Sequence, residues 1–381
     1  MKNSIKLAYY GFLFISSIFV SCHTDNTTNQ TNSSRLTYQV DSISIPLDTL
    51  SLPRYDFFHH YKDTLFAYNL NTHSMDIFSL SSKKILHHII LDREGSNGVG
   101  QIEGLYVHCP DSVFVYANKK LHVLDDQGKI RQSISLARSL DYQKFGSLAA
   151  NLHFRLQYDA KRKTVFLLSI YAPGNYNSPF ISALNLNSEE FSQLPITYSD
   201  YYINNQGNVG YLAYPNKDLI YHDLLVYNFL YESNIYTYDL KNRKKSVYKA
   251  ESKFSPSYAS IFSIKNQNPD NWSKHSLENP HYFHVLYDPY RQLYYRFHWG
   301  QVSYQTTKGQ TSTFLDKELF LMVFDERFNI LKEIKLPKDT FIIHSWFVGK
   351  EGLYVSPTHP KNKNQEEDKL NFQIFKFEKN I

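Results

Sequence analysis

The sequence predicts an all-β protein, and more specifically a single β-propeller of six blades, with seven blades as the alternative. Short alternating or apolar runs recur about every 50 to 70 residues, and each run is bounded by turn residues. Aromatic residues are abundant, with 31 tyrosines, and long helical patterns are scarce. Units of four short strands with a period near 50 residues are typical of propeller blades.

The chain begins with a pattern typical of an export signal. Two lysines within the first six residues precede an apolar stretch of about fourteen residues, which is too short to span a bilayer. Phe19-Val20-Ser21-Cys22 then places a small residue before a cysteine and resembles the lipobox of bacterial lipoproteins. We therefore expect residues 1–21 to be a lipoprotein signal peptide and Cys22 to carry the anchoring lipid, palmitate included.

Residues 22–35 are predicted to form a flexible polar tether. Residues 23–34 contain no apolar side chain, so they cannot bury enough surface to offset the entropy of ordering. Asp does not directly follow Cys22, which favours an outer-membrane location and leaves open the periplasmic or the surface face. The alternative is an ordinary signal peptide followed by a chance cysteine.

Residues 36–381 are predicted to form the propeller domain, and composition limits its partners. The formal net charge of +5 becomes +3 once Lys2 and Lys6 are removed, too weak and dispersed for nucleic acid. Of the two cysteines, Cys22 is assigned to the lipid, which leaves Cys109 without a disulfide partner. We expect a monomeric domain, held at the membrane by its lipid, with an envelope protein or a glycan as partner and no cofactor.

Six repeating units can be followed from about residue 55 to the C-terminus. Their best-marked strands lie at residues 64–68, 112–116, 164–168, 224–230, 293–297 and 353–355. Residues 43–47 precede the first unit, and in a ring such a strand completes the last blade, so we expect pairing near residues 370–377. Residues 255–280 are predicted to be a long insertion between units, and strands within it would supply a seventh blade.

The pattern Tyr-Asp-x-x-Arg occurs twice in register, at residues 158–162 and 287–291, and each copy leads into an apolar strand. An aspartate suits a tight turn because its side chain accepts backbone N–H bonds two residues further on. We interpret both copies as hairpin turns closed by their own side chains. The alternative is an Arg–Asp cluster at a functional site.

Motifs for catalysis and metal binding are missing from the sequence. It contains no G-x-S-x-G, H-E-x-x-H or paired C-x-x-C pattern. The histidine pairs 59–60, 87–88 and 281/284 have odd separations, which point side chains to opposite faces of a strand, so we expect no metal site.

The glycine-rich residues 95–104 lack the spacing of a nucleotide-binding loop, and no helical pattern follows them. We interpret them as a crossover between blades that needs positive φ angles. Such crossovers reach the central face of a ring, where propellers place ligands. Arg93, Glu94 and Asn97 are therefore the candidate pocket residues.

The lipobox, residues 91–100 and residues 287–297 together resemble a domain-of-unknown-function family of TolB-like six-bladed propeller lipoproteins of Gram-negative bacteria. The likeness covers residues 36–378, with Ser96 where the family is expected to have proline. The resemblance implies a propeller in the cell envelope, and it transfers no catalytic residue.

The sequence thus favours a non-enzymatic binding or scaffold protein of the envelope, with a peptide, glycan or protein as partner. One alternative is a propeller enzyme acting on carbohydrate, suggested by aromatic side chains that we expect to be exposed: Tyr201, Tyr202, Trp272 and Trp299. Such an enzyme needs two carboxylates about 5 to 10 Å apart, expected in the central cavity. A further alternative is an accessory subunit of a nutrient-uptake system.

Overall fold

The computed structural model describes residues 36–136, 142–171, 175–206, 208–210, 215–221, 223–262, 268–343 and 345–379. The predicted signal peptide, the tether and Cys22 lie outside the described residues, and their assignments stay predictions. Within the described part of the chain, no helix is long and apolar enough to cross a membrane.

The described residues form six small antiparallel sheets that follow one another around a ring. Their strands are β1 (Leu36–Pro46), β2 (Phe58–Tyr61), β3 (Thr64–Asn69), β4 (Ser74–Ser79), β5 (Lys84–Ile90), β6 (Ile102–Cys109), β7 (Ser112–Ala117), β8 (Lys120–Leu124), β9 (Ile130–Ser135), β10 (Ser147–Ala149), β11 (Gln157–Asp159), β12 (Thr164–Ile170), β13 (Ile181–Asn185), β14 (Phe191–Gln193), β15 (Pro215–Tyr221), β16 (Leu224–Phe229), β17 (Ile235–Asp239), β18 (Lys244–Tyr248), β19 (His281–Asp288), β20 (Leu293–Trp299), β21 (Leu319–Phe324), β22 (Ile330–Lys335), β23 (Trp346–Gly349), β24 (Gly352–Val355) and β25 (Lys369–Lys379). The inner strands β2, β6, β11, β15, β19 and β23 contact one another in a closed circle around the axis. The prediction of a six-bladed propeller is confirmed.

Short helices lie on the connections: α1 (Tyr142–Phe145), α2 (Asp200–Asn204) and α3 (Pro269–Glu278). α3 begins with proline in its first turn, and the Asn268 side chain accepts a hydrogen bond from the Asn271 N–H at 2.8 Å, as an N-cap does. The predicted insertion therefore contains a helix, and its described residues add no seventh sheet.

The N-terminal strand closes the ring. β1 pairs with β25 over its whole length, from Leu36 opposite Lys379 to Pro46 opposite Lys369. This pairing confirms the predicted closure and extends it towards the N-terminus. The sequence showed only the second half of the strand because the apolar alternation of its first half, which ends at Val40, changes phase before Ile43.

The middle strands of the blades are buried on both faces, as in β4 and β21. The outermost strands β5 and β22 are half-buried or exposed. Apolar side chains therefore form layers between neighbouring blades, and this explains why the middle strands read as continuous apolar runs in the sequence.

The ring has two different faces. The crossover face carries the connections from the outermost strand of one blade to the innermost strand of the next, such as residues 47–57 between β1 and β2. The hairpin face carries the tight turns between first and second strands and between third and fourth strands. Since the Pro46 end of β1 leads into a crossover, its Leu36 end lies on the hairpin face.

Both Tyr-Asp-x-x-Arg copies form turns on the hairpin face, as predicted. The Asp159 carboxylate accepts the backbone N–H groups two and three residues further on, at 3.0 and 3.2 Å, and a guanidinium N–H of Arg162 at 2.6 Å. Asp288 repeats this arrangement, at 2.9 and 3.1 Å, with Arg291 donating at 3.0 Å. These side chains close hairpins, which accounts for the repeat in structural terms.

Candidate ligand pocket

A cavity of about 440 Å³ lies between the third and fourth blades, towards the crossover face. We call it the Glu232 pocket. It is lined by Thr197, Tyr198, Ser199, Asp200, Tyr201, Tyr227, Glu232, Asn234, Tyr236, Lys245, Ser246, Val247 and Tyr258. These residues come from α2 and the loop before it, from β16, β17 and the loop between them, from β18, and from the crossover that follows β18.

Buried tyrosines hold α2 in place beside this cavity. Tyr202 is fully buried, and its hydroxyl accepts the backbone N–H of Tyr231 at 3.1 Å. The hydroxyl of Tyr201 donates to the carbonyl of Ala259 at 2.5 Å, which joins α2 to the next crossover. The expectation that Tyr202 is exposed was wrong, because this ring packs into the core under the helix.

Tyrosine rings form the walls of the pocket. Tyr227 and Tyr236 stack with their centroids 5.4 Å apart, and Tyr201 and Tyr258 approach to 4.8 Å. Burial raises the pKa of Tyr201 to about 12, so its hydroxyl stays protonated at every physiological pH. The walls therefore present aromatic faces and neutral hydroxyl groups, with Tyr258 the most exposed ring at 45%.

Glu232 lies at the base of the pocket with 1% of its surface exposed. Its Oε2 atom accepts a hydrogen bond from the Tyr236 hydroxyl at 3.2 Å, and Oε1 has no hydrogen-bond partner. No described lysine, arginine or histidine forms an ion pair with it.

Burial, helped by the nearby Asp200 carboxylate, raises the pKa of the Glu232 carboxyl to about 7. The hydrogen bond from Tyr236 and the polar side chains of Ser199 and Asn234 beside the carboxyl act in the opposite direction and offset part of this effect. Glu232 therefore changes its charge close to neutral pH, which is unusual for a carboxyl group.

The central channel contains a smaller cavity, of about 190 Å³. Its lining includes no aspartate or glutamate, and its polar residues are His59, His60, Tyr106, Arg155, Gln157 and Tyr287. Burial lowers the pKa of His59 to about 3, and the positive charges of His60 and Arg155 act in the same direction. The carboxylate pair that would mark a glycosidase is therefore not found in the lining of this cavity.

The three candidate residues of the sequence analysis lie on the crossover between the first and second blades. Asn97 donates to the Asp92 carboxylate at 2.9 Å and accepts the backbone N–H of Ile130 in β9 at 2.7 Å, so it fixes the turn to an outermost strand. Arg93 and Glu94 are exposed. None of the three is among the residues lining the two cavities, and their part in a pocket stays a prediction.

Metal binding finds no support among the described residues, which contain no group of three or more His, Cys, Asp or Glu side chains placed to hold an ion. The Glu232 pocket was missed in the sequence because its lining comes from segments up to sixty residues apart. The one local signal was Glu232 itself, a carboxyl that directly follows the apolar run 224–231.

The fold and the cavities define a class of protein: a six-bladed β-propeller, closed by its N-terminal strand, with a polar and aromatic pocket between two blades. The chain belongs to the family described as domain of unknown function DUF4221, whose model matches residues 28–335. The family resemblance seen in the sequence is thereby confirmed.

Solved structures support the same fold. A DUF4221 member from Bacteroides vulgatus matches with a TM-score of 0.77 and 21% identity, covering 91% of this chain and 100% of that one. A protein of Bacteroides fragilis named as exported matches with a TM-score of 0.57 and 8% identity, covering 92% and 98%. At these identities the likeness shows the fold alone. Curated proteins give no match.

Proposed function

We propose that this protein is a lipid-anchored protein of the cell envelope whose propeller binds an extracytoplasmic ligand without converting it. The ligand occupies the Glu232 pocket. The observation that carries this proposal is a cavity of about 440 Å³ that combines tyrosine walls with a buried carboxyl oxygen lacking a partner. Ligand sites typically combine apolar walls with a few polar groups that fix orientation.

The walls of the pocket are held before any ligand arrives. Tyr201 is fixed to Ala259, Tyr202 to Tyr231, and Tyr236 stacks on Tyr227. A site whose side chains are already ordered loses little conformational entropy on binding, which favours affinity.

The topology suits a protein tethered at its N-terminus. The tether joins β1 at Leu36 on the hairpin face, whereas the Glu232 pocket lies towards the crossover face. A lipid on Cys22 would therefore leave the pocket on the side of the ring away from the attachment point. The similarity to a protein named as exported agrees with an envelope location.

The anchor is tested with Cys22→Ser in the organism that makes the protein. We expect the variant to lose incorporation of labelled palmitate and to move from the membrane fraction to the soluble fraction. Ser21→Ala, which keeps a small residue before the cysteine, is the matched control and should stay in the membrane. Unchanged palmitate incorporation in Cys22→Ser would show that the lipid assignment is wrong, whether or not the variant stays in the membrane.

Binding is tested with the full-length Cys22→Ser chain and a panel of peptides, neutral oligosaccharides and small cations, by calorimetry. We expect at least one class to bind and to lose affinity in Tyr258→Ala. Tyr290→Ala removes a ring of similar exposure, 54% against 45%, from the hairpin face and should bind normally. Equal loss in both variants would remove the pocket as the binding site.

One observation favours the enzyme alternative. The pKa of Glu232 is about 7, so its carboxyl is largely protonated below that pH, and a second carboxylate, Asp200, lies nearby. This combination is the chemistry of a general acid and its partner. The test is hydrolysis of aryl glycosides and of neutral oligosaccharides by the native chain. Turnover that disappears in Glu232→Gln would replace the binding proposal, and we expect none.

A further inference from the structure

We propose that the Glu232 pocket binds the organic ammonium group of its ligand, with the Glu232 carboxylate as counter-ion and the tyrosine rings as a surrounding cage. This inference rests on the proposed function, because the pocket must be the ligand site. It adds the chemical class of the ligand, namely a cation with a methylated or primary ammonium group.

The buried carboxyl group of Glu232 lacks a compensating positive charge. Glu232 is 1% exposed, its Oε1 atom has no hydrogen-bond partner, and it forms no ion pair with a described residue. A buried carboxylate is strongly destabilised unless a charge and hydrogen bonds compensate it. A neutral ligand supplies a hydrogen bond at most, whereas an ammonium ligand supplies the missing positive charge as well.

Aromatic side chains supply much of the walls of the Glu232 pocket. Rings of Tyr198, Tyr201, Tyr227, Tyr236 and Tyr258 line the cavity. The face of an aromatic ring attracts a cation within about 6 Å of its centroid, and the attraction grows when water is excluded. Several rings beside a carboxylate are the arrangement that recognises quaternary ammonium groups in other proteins.

The charged groups that face Glu232 also favour a cation. α2 contributes the Asp200 carboxylate and the neutral Tyr201, and β16 and β17 contribute the neutral Tyr227 and Tyr236. β18 contributes Lys245, which is exposed to solvent and makes no ion pair with Glu232. Asp200 and Lys245 are both exposed and balance each other, so the pocket is negative once Glu232 is ionised, which attracts cations and repels anions.

The protonation of Glu232 gives the inference a signature. If a cation binds only the ionised carboxylate, affinity follows the ionised fraction, and a pKa of about 7 makes binding about 30-fold tighter at pH 8.5 than at pH 5.5. A quaternary ammonium ligand has a fixed charge, so this change reports the protein alone. Binding should also release protons near pH 7, since the cation favours the ionised form.

The test uses choline and its uncharged carbon isostere, 3,3-dimethylbutan-1-ol, with the full-length Cys22→Ser chain in calorimetry at pH 5.5, 7.0 and 8.5. We expect choline to bind more tightly as the pH rises and the isostere to bind at least tenfold more weakly. Glu232→Gln keeps the size and shape of the side chain and should lose both the affinity and the pH dependence. Tyr258→Ala should weaken choline binding, and Tyr290→Ala should not.

The outcomes separate this inference from the function on which it rests. Equal binding of choline and the isostere, or no choline binding at all, would overturn the cation assignment. If neutral oligosaccharides then bind and depend on Tyr258, the pocket remains the ligand site and only its ligand class changes. If Tyr258→Ala affects no ligand, the proposed function fails together with the inference. Thermal unfolding of each variant checks that its fold is retained.

Discussion

His59 makes the stability of this propeller sensitive to acid. It lies on β2 beside the central channel, with its ring centroid 4.6 Å from that of Tyr106. Burial holds the pKa of His59 at about 3 in the folded protein, against about 6.5 for an unfolded chain. Between these values the unfolded state binds the proton and the folded state does not, so the free energy of unfolding falls as the pH drops below 6.5.

The size of this effect follows from the two pKa values. At pH 5.5 the loss assigned to His59 is about 1.4 kcal/mol, and at pH 7.5 it is close to zero. His59→Phe removes the titrating group and keeps an aromatic ring, and the cavity of about 190 Å³ beside it accommodates the extra atom. We expect wild type to lose about 1.4 kcal/mol more than this variant between pH 7.5 and pH 5.5.

The assay is urea denaturation followed by fluorescence at the two pH values. Other buried histidines, such as His281, have a pKa lowered by burial and add to the total loss, but they cancel in the comparison of variant with wild type. His87 is exposed on β5, and His87→Phe serves as the matched control; His59→Phe should lose less stability than this control between the two pH values. If His59→Phe loses as much stability as wild type, His59 titrates normally in the folded protein and the reasoning is refuted.

Three further predictions concern the scaffold. Burial lowers the pKa of His88, but hydrogen bonds to the Asp76 and Asp48 carboxylates outweigh this effect and raise the pKa. His88→Gln should therefore lose more stability at pH 6 than at pH 8.5 in the same urea assay, and an equal loss would contradict the raised pKa. Lys317 donates hydrogen bonds to three carbonyls at the end of α3, at 2.7, 3.0 and 2.6 Å. Lys317→Met should therefore lower the free energy of unfolding, measured by thermal unfolding, by about 2 to 4 kcal/mol, and an unchanged stability would show that water replaces the ammonium. Ile45 is buried in the closing strand, so Ile45→Ala should lower the free energy of unfolding by about 2 to 4 kcal/mol, whereas Val40 is half-exposed and Val40→Ala should change it by less than about 0.5 kcal/mol. Similar effects of the two variants would show that the closure lacks a packed core.

The architecture was accessible from the sequence because burial repeats with the blades. The middle strands are buried on both faces, and their apolar runs recur blade after blade, so their number gave the six blades. α3 was missed although Asn268 and Pro269 are a start signal for a helix, since polar residues dominate the segment and the prolines suggested a loop. Half of β1 was missed because its apolar alternation changes phase between Val40 and Ile43, so only the second half was recognised as one strand.

The Glu232 pocket could not be read from the sequence for a different reason. Its rings come from α2 and the loop before it, from β16 and β17, and from a crossover, and its carboxyl comes from the β16–β17 loop, so no fixed spacing forms a motif. Tyr202 illustrates the same difficulty, because it is adjacent in sequence to the pocket residue Tyr201 but is buried under the helix. Which tyrosine faces the cavity depends on packing between blades, which linear patterns do not encode.

The fifth blade supports the pocket from behind. Arg296 on β20 is fully buried, and it donates to the carbonyl of Ser233 at 2.6 Å and to that of Ala250 at 2.9 Å. Burial lowers the pKa of Arg296 to about 10, so it remains charged at neutral pH, and its guanidinium lies 4.8 Å from the centroid of the Tyr282 ring. Because Ser233 directly follows Glu232, this arginine fixes the loop that carries the carboxyl group. A buried acid with one unpaired oxygen is tolerated here because the loop is held by the neighbouring blade, and the closed ring holds that blade in turn.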